Sequence, residues 1–108
     1  MSSTTSRPHR MHNPPHPGAL LRGLYLEPNE LPISDVAQAI GVSRTALSQF
    51  VNGHARVSLD MSLRLAAAFR TSPEVWLNLQ HEYDLWHARR KRARLRVRPL
   101  VAKHRAAG

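Results

Sequence analysis

Leu20, Leu21, Leu24 and Tyr25 recur at the three- and four-residue spacing of one helix face, and four further helical patterns follow before the chain runs into arginines. Pro17 suits the first turn of the first helix, and Glu27-Pro28 closes it, because the residue before a proline is driven out of the helical region. A second, short helix reaches about Ile40 and turns Val36, Ala37 and Ile40 inward; two starts fit, Ser34 as N-cap or Pro32 just ahead of the first turn. Gly41 supplies the left-handed residue that ends it, and Ser43 caps a third helix reaching Asn52-Gly53. Ser58 caps a fourth helix carrying Met61, Leu63, Leu65, Ala66 and Phe69. Ser72-Pro73-Glu74 opens a fifth, whose stripe Trp76, Leu79, Tyr83 and Trp86 is expected to close on the core or on a second subunit. With no strand pattern between these segments, the fold class is all-α with five helices.

Composition sets the limits of the folded part. Residues 1–15 are polar and Pro-rich and read as a flexible N-terminal arm, within which Met11 is a second candidate start. Residues 16–90 hold the helical domain, and residues 91–108 form a basic C-terminal tail; from Arg89 to Arg105 there are nine Lys and Arg and no acid. A domain of roughly 75 residues buries only about 60% of its unfolded surface, so a partner subunit is expected to stabilise it. The net charge is +9, carried mostly by Arg, whose planar fork suits phosphate and guanine. Nucleic acid is therefore the leading partner class. The absence of Cys removes disulfides and thiolate metal sites and fits a reducing compartment. No apolar run approaches the ~20 residues of a membrane span, and the first residues lack a signal-peptide core, so a cytoplasmic location is expected.

The chemistry concentrates in residues 36–53. Ala37 permits close crossing of two helices, Gly41 makes the turn between them, and Val42 and Leu47 plug the space they enclose. The outward face of the second helix of this pair is left with Arg44, Thr45, Ser48 and Gln49. These are base-reading side chains: Arg bridges guanine O6 and N7, Gln pairs with adenine N6 and N7, and Thr touches the thymine methyl.

The Ala-x-x-x-Gly-Val-Ser-Arg turn of residues 37–44, followed by Leu-Ser-x-x-x-Asn-Gly at 47–53, resembles the lambda-repressor-like (XRE) helix-turn-helix. The flanks, Met11 to Gly18, Ser58 to Leu65 and Ser72 to Gln80 with Tyr83-Asp84-Leu85-Trp86, resemble its HigA/VapI antitoxin branch across residues 11–91. That resemblance implies an antitoxin that neutralises a RelE/HigB-like messenger RNA endonuclease and represses its own operon. It also implies DNA contacts from Ser43, Arg44, Thr45, Ser48, Gln49 and Asn52, and a homodimer on a palindromic operator. Ala19 stands where the branch usually has Glu, and Ile33 where many relatives carry a phosphate-touching Gln. The Arg-rich tail has no counterpart in the pattern.

Other chemistry is unsupported by the residues present. His9, His12 and His16 lie close in sequence, but no carboxylate or thiol joins them in a Pro-broken segment, so no metal and no cofactor is expected. His81 and His87, six residues apart on one helix, fall on different faces and read as surface residues. The Ser residues are spent as helix caps and no nucleophile, base and acid come together, so no catalytic site is expected. Two alternatives to the antitoxin share part of its features: a stand-alone repressor using the same DNA-reading residues, and an RNA-binding protein working through Arg89 to Arg105.

Overall fold

The computed structural model describes residues 13–91 and 95–102. The expected arm falls mostly on residues 1–12, with His9, His12 and Met11, and part of the tail falls on 92–94 and 103–108; these lie outside the described residues. The described residues contain five α-helices and no strand: α1 (Pro17–Leu21), α2 (Ile33–Ile40), α3 (Arg44–Val51), α4 (Leu59–Phe69) and α5 (Pro73–Arg90).

Helix α1 begins on His16, whose imidazole Nδ1 accepts the Gly18 N–H at 2.9 Å, with Pro17 in the first turn. It runs on as a π-helical turn over Arg22–Leu26, in which the Glu27 N–H reaches the Arg22 carbonyl at 2.9 Å. The wider turn changes the phase of the buried face. Leu21 and Leu26, five residues apart, are both in the core, while Leu24 is 62% exposed. Period 3.6 had placed Leu24 with Leu21, and one extra residue per turn carries it out to solvent.

Of the two starts for α2, the structure uses Pro32, which is extended and whose carbonyl receives the Asp35 and Val36 N–H groups; Ser34 lies inside the first turn. The other three caps sit where the sequence puts them. Ser43, Ser58 and Ser72 each accept the N–H three residues on, at 3.0, 3.0 and 3.3 Å. Each satisfies a donor that the helix itself leaves unpaired.

The core is a single cluster of Leu21, Leu26, Val36, Ala37, Ile40, Leu47, Phe50, Val51, Val57, Met61, Leu65 and Trp76. Its inward face on α4 is Met61, Ser62, Leu65 and Ala66, with Phe69 packed behind, and Leu63 is exposed, contrary to the expectation from sequence. Gly18 allows α1 to cross α3 backbone against backbone: a Cβ there would lie 1.9 Å from the Phe50 carbonyl oxygen. On α5, Trp76 is fully within the chain's own core, its indole N–H donating to Thr71 Oγ1 at 2.8 Å, and Leu79 packs against the same cluster. The expected stripe thus closes on its own core at these positions. Tyr83 stands edge-on to the His16 ring, and Trp86 carries the Arg90 guanidinium 4.6 Å from its ring centroid.

His87 is not the surface residue it was expected to be. It lies half-buried between Tyr83 and Trp86, and its Nε2 is buried with no hydrogen-bond partner among the described residues. Spacing explains this, because positions 76, 80, 83 and 87 recur at the helical period and share the inward face. His81, off that face, is exposed.

Candidate nucleic-acid interface

Helices α2 and α3 meet through a turn of very few residues, and its geometry follows from Gly41. That residue is left-handed (φ 79°), where a side chain would be strained, and its N–H returns to the Ala37 carbonyl at 2.9 Å. The Val42 N–H bonds the same carbonyl at 3.0 Å, and Leu47, fully buried, fills the angle beneath. The turn is also held from α4. Arg64 donates to the Ile40 carbonyl at 2.7 Å while its Nε is fixed by Asp60, one turn away, at 2.7 Å. A cation on the last carbonyls of α2 satisfies acceptors the helix leaves open and opposes its dipole.

So held, α3 presents one polar face. Arg44, Thr45 and Gln49 are exposed and Ser48 is half-buried beside them, at positions that share a side of the helix. The structure brings these four together as the sequence anticipates. The remaining two candidates stand at the helix ends and are already engaged within the chain. Ser43 Oγ is the N-cap acceptor for Ala46, and Asn52, exposed at the C-cap, donates from Nδ2 to Ser48 Oγ at 3.2 Å. Asn52 Oδ1 accepts Arg22 Nη2 at 2.7 Å. Neither Arg22 nor Arg64 was singled out from the sequence, since an arginine on an amphipathic helix looks like any solvated one until its neighbour is known.

The segment after α3 is tied to α5. The Val57 N–H is accepted by the buried Gln80 side chain at 2.8 Å, Gln80 donates in turn to Asp84 Oδ1 at 3.0 Å, and Asp84 Oδ2 pairs with Arg56. Partial burial pushes the Asp84 pKa up, but the hydrogen bonds from Gln80 and Arg56, with the Arg56 charge, outweigh it and hold the carboxyl below its ordinary value. His16 packs on Phe50 of α3 and Tyr83 of α5, and its burial lowers the imidazole pKa more than the Ala55 carbonyl and the Asp84 charge raise it. No group of three or more His, Cys, Asp or Glu among the described residues is placed to hold a metal ion, and no described helix is long and apolar enough to cross a membrane.

Known proteins share the helix-turn-helix fold. A family model described as helix-turn-helix matches residues 24–76. An uncharacterized HTH-type transcriptional regulator of Haemophilus influenzae is 43% identical over 91 residues, 81% of this chain and 85% of that protein. Antitoxin HigA-1 of Vibrio cholerae is 38% identical over 68% of this chain and 70% of its own length. Among solved structures, antitoxin GraA in complex with its operator superposes with a TM-score of 0.76 at 31% identity, covering 94% of this chain and all of GraA.

Proposed function

The chain belongs to the helix-turn-helix family of DNA-binding regulators of the HigA antitoxin type, and from that premise we propose that it neutralises a RelE/HigB-like messenger RNA endonuclease and represses its own operon. It acts in the cytoplasm, by binding and not by catalysis. The carrying observation is the polar face of α3, with Arg44, Thr45, Ser48 and Gln49 side by side on a helix whose approach angle is fixed by Gly41 and Arg64. In this reading α3 enters the major groove, those four side chains meet base edges, and Ser43 and Asn52 flank them. Two subunits on a palindromic operator place their α3 helices about one helical turn, roughly 34 Å, apart. GraA in complex with its operator supports the DNA part of the reading, and the name of the V. cholerae relative supports the antitoxin part.

Two measurements test it. Footprinting on the duplex upstream of the protein's own gene is expected to protect a palindrome, with two subunits per site; protection by one subunit removes the dimer. Where a neighbouring gene encodes a RelE/HigB-like protein, the chain added to that protein's ribosome-dependent cleavage assay is expected to stop cleavage. Operator protection without that inhibition makes the protein a stand-alone repressor.

A further inference from the structure

Arg22 is a cation in an unusual setting. It is half-buried at the start of the π-helical turn, and among the described residues no carboxylate lies within salt-bridge distance of it, although Glu27 and Glu30 border the same open groove. Its side-chain partner is the neutral amide of Asn52, thirty residues away at the C-terminal end of α3. Arginine only donates, so this bond settles the amide orientation: Oδ1 faces Arg22 and Nδ2 faces Ser48. Both ends of the Asn52 amide are therefore already engaged within the chain. Reading adenine takes the amide oxygen and nitrogen together, and in Asn52 both atoms already hold a partner within the chain.

We propose that Arg22 binds a DNA backbone phosphate and that Asn52 is its positioning residue, not a base reader; the inference rests on the DNA-binding reading of α3. In helix-turn-helix proteins the N-terminal part of the recognition helix reaches base edges, while the preceding elements cross the sugar-phosphate backbone. Arg44 and Thr45 open α3, Ser48 and Gln49 follow one turn on, and Arg22 is fastened to the C-cap beyond them. The guanidinium's remaining donors have no partner among the described residues, and a planar fork with free N–H groups beside a groove-binding helix fits a phosphate's oxygens. The Asn52 bond holds that fork in place before DNA arrives. Phosphate contacts set register and affinity without carrying sequence, so the pair contributes uniformly to every duplex.

The test is a salt titration of the full chain with two probes, the duplex upstream of its gene and a scrambled duplex of equal length, for the wild type, Arg22→Gln, Arg22→Lys, Asn52→Ala and the double variant Arg22→Gln/Asn52→Ala. For Arg22→Gln the slope of log affinity against log salt is expected to become shallower by about 0.9 per bound subunit on both probes, with the preference between probes retained. Arg22→Lys keeps the charge and the slope. Asn52→Ala retains the preference, weakens both probes together, and adds no further slope loss to Arg22→Gln in the double variant. An unchanged slope in Arg22→Gln, or a changed preference at one base pair in Asn52→Ala, overturns the proposal. If Arg22→Gln fails to fold, Asn52→Ala decides alone by the same preference criterion. Wild-type protein that binds neither duplex sinks the DNA-binding reading and this inference with it, whereas wild-type binding with equal slopes sinks only the inference.

Discussion

The side-chain oxygen of Gln80 on α5 accepts the backbone N–H of Val57 across 2.8 Å, in a site where both residues are almost fully buried. The bond is the tie between the segment leaving α3 and the longest helix of the domain. Without it the Val57 N–H is a donor out of reach of water, and such a group costs its full desolvation.

Gln80→Ala is accordingly expected to destabilise the protein by about 1–3 kcal/mol. For a domain of this size each kcal/mol lowers the melting temperature by roughly 4–8 °C. A calorimetric midpoint unchanged by the substitution contradicts the assignment.

Acid is expected to weaken the fold in two stages. His16 has its pKa lowered in the folded chain, so the unfolded chain takes up the proton first; the stability it contributes is complete above about pH 6.5 and declines as pH falls toward the folded value. Protonation at Nδ1 also removes the acceptor that holds the Gly18 N–H. Asp84, lowered as well, contributes stability that is present above about pH 4 and lost as pH falls through its folded pKa. Denaturant midpoints measured from pH 8 to pH 3 check both. His16→Asn, which caps without titrating, flattens the upper stage, and Arg56→Ala weakens the lower.

Two glycines in neighbouring turns are expected to respond in opposite directions. Gly18→Ala drives a methyl into the Phe50 carbonyl and the Val51 Cα, both backbone, so α1 must move off α3. Overpacking of this kind costs about 1–3 kcal/mol or more. Gly23→Ala meets nothing within 4 Å and relieves the entropy cost of a helical glycine, a gain of about 0.5–1 kcal/mol. Urea denaturation of the two variants measures the contrast, and a loss at Gly23 equal to that at Gly18 refutes it.

Arg44→Ala and Gln49→Ala are each expected to lower discrimination between the upstream duplex and a scrambled one by about 1–3 kcal/mol, while melting temperatures stay near the wild type. Both side chains are exposed and make no side-chain hydrogen bond among the described residues, so their loss leaves the fold intact. Competition binding reads the effect directly. Full preference in either variant removes that residue from the reading face.

The arginines after α5 are expected to follow phosphates without reading sequence. Arg96 and Arg98 are exposed and unpaired with any acid among the described residues. Truncation after Lys91 should make the salt slope shallower, by roughly 2.7 if three cations engage duplex DNA. An equal slope in the shortened chain directs the tail to another partner, to be sought first in the proposed toxin.

Local chemistry written into the chain accounts for what sequence alone could determine. Ser43, Ser58 and Ser72 each cap the helix that follows, Pro17 and Pro73 each open one, and Gly41 makes the tight turn, because caps and turns depend on groups within a few residues of one another. The polar face of α3 was legible for the same reason: Arg44, Thr45, Ser48 and Gln49 are what remains once Leu47, Phe50 and Val51 turn inward. What only the tertiary structure decided depends on partners distant in sequence. The π-helical turn that buries Leu26 and exposes Leu24 satisfies packing against the other helices, which a 3.6-residue pattern does not report. The pairings of Arg22 with Asn52, Arg64 with Ile40 and Gln80 with Val57 span more than twenty residues each, and a polar side chain carries no mark of a partner that folding alone brings within reach.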